Sequence, residues 1–85
     1  MKKEEIFKKV KELLEDRLEF DDNESSKISM GTSFDDISHE REFDSLDKIE
    51  FIMEVEREFH VSLSDEEVEY SKTLADLVEA VEKKM

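Results

Sequence analysis

Across 85 residues the chain has no proline and a single glycine, Gly31, so the two residues that most sharply punctuate secondary structure are almost missing. The helix formers Glu, Lys and Leu dominate what remains, and the reading is an all-α chain. Its length leaves room for one small domain, taken as residues 1–85. At about 0.05–0.15 kcal/mol per residue such a domain is stable by only about 4–13 kcal/mol, which implies a thin core and no deep enclosed active site.

Apolar periodicity and capping patterns divide the chain into four helices. From Lys3 to Leu18 the residues Ile6, Val10, Leu13, Leu14 and Leu18 recur at i, i+4, i+7, i+8 and i+12, one stripe of an amphipathic helix expected to end near residues 20–23. A second helix is predicted to start at Asp44, a suitable N-cap, with Asp47 in the first turn where a negative charge suits the helix dipole. It should run to about Phe59. Ser64 and Glu67 have the spacing of a capping box and predict a short helix over about 65–70. Thr73 and Asp76 repeat that spacing ahead of a last helix striped with Leu74, Leu77, Val78 and Val81. Between Phe20 and Phe43 runs a long connection whose apolar residues Ile28, Met30, Phe34 and Ile37 are expected to pack across the helices. Within it "TSFDD" is placed to start one helical turn.

The formal charge of −13, from 26 acids against 13 bases, opposes binding to nucleic acid phosphates or anionic lipid and favours basic protein partners, although acid also keeps a small protein soluble. There is no cysteine for a disulfide or thiolate metal site. No apolar run approaches the ~20 residues needed to cross a bilayer, and "MKKEEIFKKV" lacks the apolar region of a signal peptide, so a soluble protein in the cytoplasm is expected.

The predicted second helix carries two apolar strips. At 100° per residue from Leu46, Phe51, Val55, Phe59 and Ile52 lie at roughly 140°, 180°, 220° and 240°, a core stripe that also takes in Lys48, whose ammonium must snorkel outward. Leu46, Ile49 and Met53 gather at roughly 0°, 300° and 340° on nearly the opposite side, bordered by Glu50 and Glu56 at roughly 40° and 280°. An apolar centre with an acidic border is the makeup of a docking surface, unless other helices pack on both sides and bury both strips.

Asp44-Ser45-Leu46-Asp47, the apolar-acid-apolar helix through Ile49, Glu50, Phe51 and Met53, Glu56 ahead of Phe59, Asp65-Glu66-Glu67, and the Thr73-Leu74 helix start form an ordered set. In that order they resemble the second half of an acyl carrier protein. The first half agrees through its amphipathic helix and the Ser33-Phe34 pair. The resemblance implies a small four-helix bundle with a long loop between helices 1 and 2, and a carrier that is not an enzyme. It further implies that Ser45, flanked by Asp44 and Leu46, carries 4′-phosphopantetheine donated from coenzyme A by a phosphopantetheinyl transferase. Its phosphate would sit at a helix N-terminus, which favours an anion, and its thiol would hold acyl groups as thioesters on a chain with no cysteine of its own. Nothing in this role requires Ser45 to be nucleophilic. Taken alone, a serine beside Asp is more commonly a helix cap, and the surrounding pattern is what favours attachment at Ser45.

By the same resemblance the second helix is a recognition helix. Its Asp44, Leu46, Asp47, Ile49, Glu50, Met53 and Glu56 would dock on basic patches of acyl-transferring and chain-elongating synthase enzymes of fatty acid, lipid or polyketide synthesis. A monomer that binds no nucleic acid, has no specific metal site and does not insert into membranes is expected. The chain departs from the family pattern in four places. "SHEREF" stands where a glycine usually precedes Asp-Ser-Leu, and the connection is longer than typical. Arg57 occupies a commonly acidic spot and Ser71 a commonly apolar one, while Ser64 replaces a frequent proline without loss because serine caps well. These departures suggest a specialised carrier serving a dedicated pathway.

Other functions fit less well. A serine hydrolase would need His39 or His60 as its base, and no spacing orients either toward Ser45. "DDNESSKISMGT" lacks the glycine and glutamate of an EF-hand, although so much like charge leaves diffuse binding of divalent cations as an expectation. The alternative that keeps the same fold is an interaction module without a prosthetic group.

Overall fold

A computed structural model describes residues 2–85, and the described residues form six helices and no strand: α1 (Lys3–Leu18), α2 (Asp22–Ser26), α3 (Phe34–Glu40), α4 (Ser45–Phe59), α5 (Asp65–Tyr70) and α6 (Leu74–Lys84). The four helices expected from the sequence are α1, α4, α5 and α6. The connection expected as a loop contains α2 and α3 as well, and the turn anticipated at "TSFDD" is the start of α3.

Capping boxes supply the punctuation that proline and glycine would otherwise provide. Asp21 with Glu24, Ser33 with Asp36, Asp44 with Asp47, Ser64 with Glu67 and Thr73 with Asp76 each exchange side-chain to backbone hydrogen bonds at the start of α2 to α6. Two helices end on a left-handed residue that is not glycine, Glu19 after α1 (φ 54°) and His60 after α4 (φ 56°). This turn, closed by the Glu19 N–H on the Glu15 carbonyl, ends α1 earlier than residues 20–23.

The core sits where α1 packs against α4 and α6. It contains Ile6, Val10 and Leu14 from α1, Phe51, Ile52 and Val55 from α4, and Leu74, Leu77, Val78 and Val81 from α6. Phe34 and Ile37 from α3, with Phe43 and Leu63, close its end.

Backbone hydrogen bonds fasten the connection to the start of α6. The Leu74 N–H donates to the Thr32 carbonyl at 3.0 Å and the Ala75 N–H to the Met30 carbonyl at 2.8 Å, while the Phe34 N–H donates to the Lys72 carbonyl at 2.9 Å. Each donor is at the start of a helix, where N–H groups lack an intrahelical acceptor. The Asp76 carboxylate reinforces the junction by accepting from the Lys72 N–H at 3.0 Å and the Thr73 N–H at 3.1 Å. These bonds, the one from Lys72 foremost, hold its pKa below the ordinary 3.8.

A carboxyl group with a lowered native pKa adds stability that is complete above its unfolded pKa and is lost as pH falls through the native one, because the unfolded chain takes up the proton first. Asp76→Asn is therefore expected to be less stable than wild type at neutral pH, with the gap closing as pH drops below 3.8, as followed by urea unfolding. Glycine at Glu19 or His60 is expected to raise stability by about 0.5–1 kcal/mol each, since glycine takes the left-handed conformation without a Cβ clash; thermal unfolding checks this.

Candidate functional site

Ser45 is exposed at the first position of α4, and its hydroxyl makes no hydrogen bond among the described residues. Asp44 is the cap, so the serine is not spent on that role. Its position follows from the residues just before it. Phe43 is buried and stacks on Phe34 at a centroid distance of 6.1 Å, and both rings meet Phe51 edge-on at 6.3 and 6.4 Å. One residue later the Asp44 carboxylate accepts from the Asp47 N–H at 3.0 Å, and the Asp47 carboxylate accepts from the Asp44 N–H at 3.1 Å. Ser45 is thus the first side chain to leave a rigid corner. The Lys48 N–H bonds the Asp44 carbonyl and the Asp47 N–H the Asp44 side chain, which leaves the N–H groups of Ser45 and Leu46 without an acceptor among the described residues.

The bulky lead-in "SHEREF" has its own structural use. Arg41 lies 5.6 Å from the centre of the Phe20 ring and pairs with Glu24, tying α2 to the segment before α4.

From Ser45 a groove of about 510 Å³ runs between α4 and α5. Ile49, Ile52, Met53, Leu63 and Val68 form its apolar walls, with Lys48, Glu56, Asp65 and Glu69 at its polar edges. Lys48 does reach out of the core stripe, but only as far as a neighbouring loop: Nζ donates to the Ser71 carbonyl at 2.6 Å and lies 4.8 Å over the Phe34 ring. Burial lowers its pKa, against the opposing pull of Asp35, Asp76 and Glu69. Ser71 itself is buried and its hydroxyl donates to the Glu67 carbonyl at 2.7 Å.

Leu46, Ile49 and Met53 are 61%, 47% and 52% exposed, so no neighbouring helix covers the second strip. Each acid expected beside it also serves the fold. Asp44 and Asp47 cap α4, and Glu50 pairs with Arg17 at 2.6 Å. Glu56 accepts from the Leu63 N–H at 2.8 Å and so shapes the turn toward α5. Sequence reasoning missed Arg17 and the α5 wall of the groove, Val68 and Glu69, because only packing brings them to α4.

Neither histidine serves Ser45: His39 Nδ1 lies 2.8 Å from the Asp35 carbonyl, and His60 caps the far end of α4. Among the described residues no cluster of His, Cys, Asp or Glu could hold a metal, and no helix is long and apolar enough to cross a membrane. Phe43→Ala is expected to destabilise the protein by about 3–5 kcal/mol by emptying the aromatic corner, measured by urea unfolding.

A family model described as a phosphopantetheine attachment site matches residues 8–81. An acyl carrier protein of Lactobacillus acidophilus is 38% identical over 78 residues, which cover 92% of this chain and 90% of that one. Another from Petrotoga mobilis is 36% identical over 85 residues, 100% of this chain and 93% of its own. A third, from Thermotoga maritima, is 36% identical over 83 residues, 98% of this chain and 95% of its own.

Proposed function

Because the chain belongs to the acyl carrier proteins, non-catalytic carriers of acyl groups on covalent 4′-phosphopantetheine, we propose that Ser45 is the attachment point and α4 the docking helix of a carrier domain spanning residues 1–85. The observation that carries this reading is an exposed hydroxyl with no hydrogen bond at the rigid start of α4, at the mouth of an apolar groove. The residues present fit the group. The N–H groups of Ser45 and Leu46 are free to hold a phosphate, and the apolar groove walls can shelter carbon chain. The arm supplies a thiol, which the chain lacks. Ser45 supplies only an oxygen to be esterified; the transferase does the chemistry.

Synthase and transferase enzymes are the partners of this family. For this chain we read the contact as Leu46, Ile49 and Met53 entering an apolar hollow on the partner, with basic groups drawn to the acids along the helix, Asp44, Asp47, Glu50 and Glu56, of which Glu50 is already paired with Arg17. The pathway is fatty acid, lipid or polyketide synthesis in the cytoplasm. The charged lead-in to Ser45 and the exposed Arg57 on the docking helix favour a dedicated set of partners.

Incubation with a broad-specificity phosphopantetheinyl transferase and coenzyme A tests the assignment. Wild type is expected to gain the mass of one 4′-phosphopantetheine, and a folded Ser45→Ala variant none. No gain by wild type would favour an interaction module without the arm, and an equal gain by the variant would move the attachment elsewhere.

A further inference from the structure

The acids beside the exposed strip of α4 are not equivalent. On one flank Glu50 and Glu54, one turn apart, share a single guanidinium from α1: Arg17 Nη2 lies 2.6 Å from Glu50 Oε2 and Nη1 2.7 Å from Glu54 Oε1. The Arg17 side chain is only 21% exposed, so these charge-assisted bonds are partly shielded from water and salt. Arg57, exposed and without an ion pair among the described residues, falls at roughly 20° on the helical wheel, within the strip itself and next to this flank. Two carboxylates there are held by one guanidinium, with a second base on the adjoining strip. On the other flank Glu56, Asp65 and Glu69 surround the groove with Lys48 as the one base, and Asp65 and Glu69 make no ion pair among the described residues.

We propose that Arg17 is a resident counter-ion of the docking helix: it occupies the two carboxylates that a basic partner would otherwise grip and leaves the α4 surface less negative toward α1 than toward the groove. The partner surface that fits is correspondingly lopsided. It places its lysines and arginines over the groove side, near Ser45, and a neutral or acidic group where it meets Arg57. A partner cation aimed at Glu50 must displace a guanidinium already bonded to it and approach Arg57, a like charge that repels it. This inference rests on the reading of α4 as the docking helix.

Loading by a phosphopantetheinyl transferase, with the carrier concentration varied at low and high salt, provides the test. Arg17→Met, which keeps an unbranched apolar stem and removes the charge, is expected to lower the KM for the carrier about three- to tenfold at low salt, with the difference shrinking at high salt. Adding Glu50→Gln and Glu54→Gln to that variant is expected to abolish the gain. Should Arg17→Met fail to fold, Arg17→Lys decides instead: it keeps a charge but loses the fork that holds two carboxylates at once, so a smaller fall in KM is expected. An unchanged or raised KM in the folded variant, or a fall that survives in the triple variant, overturns the proposal. Wild type that is never loaded overturns the attachment at Ser45 instead, so the two failures are told apart.

Discussion

The exchange of backbone hydrogen bonds between the connection and the start of α6 is the contact on which the rest of the site depends. Met30 and Thr32 offer carbonyls to the first N–H groups of α6, and Lys72 offers one to the first N–H of α3. Two helix starts thereby satisfy donors that would otherwise be left without partners. This fixes Phe34, Phe34 stacks on Phe43, and Phe43 holds the backbone one residue short of the Asp44 cap. Ser45 stands on a rigid corner because a distant helix terminus found its acceptors in the connection. Its hydroxyl is available because the neighbouring aspartate took the capping role.

α4 serves two surfaces at once. Its Phe51, Ile52 and Val55 face complete the core, and its Leu46, Ile49 and Met53 face stays open. The acids beside them serve the fold: Glu56 shapes the turn to α5, and Glu50 and Glu54 hold α1 through Arg17. A chain with formal charge −13 thus presents less free charge on this helix than its composition suggests. Where the negative field lies on the exposed face of α4 depends on which carboxylates the fold has already paired.

Much of the fold was legible because its signals are local. The caps at Asp44, Ser64 and Thr73 act over a single turn, and the two strips of α4 follow from helical period alone. The short α2 and α3 were hidden for the opposite reason. Neither is long enough to show a stripe, and only the cap at Ser33 gave a trace of α3. The lead-in to Ser45 read as a bulky departure; in the structure Arg41 and Phe43 explain it, one pinning α2 and the other filling the core.

By itself the sequence determined that the chain would be helical, where most helices begin, and that Ser45 would stand at such a beginning beside an apolar strip. Those properties depend on residues three or four positions apart, whose geometry any α-helix imposes. Tertiary structure alone decided which charges remain free and where the groove lies. Arg17 meets Glu50 across 33 residues and Lys48 meets the Ser71 carbonyl across 23, and no periodicity encodes such pairings. They are chosen when α1, α5 and α6 settle against α4, because burying the shared apolar core fixes which polar side chains come within reach of one another.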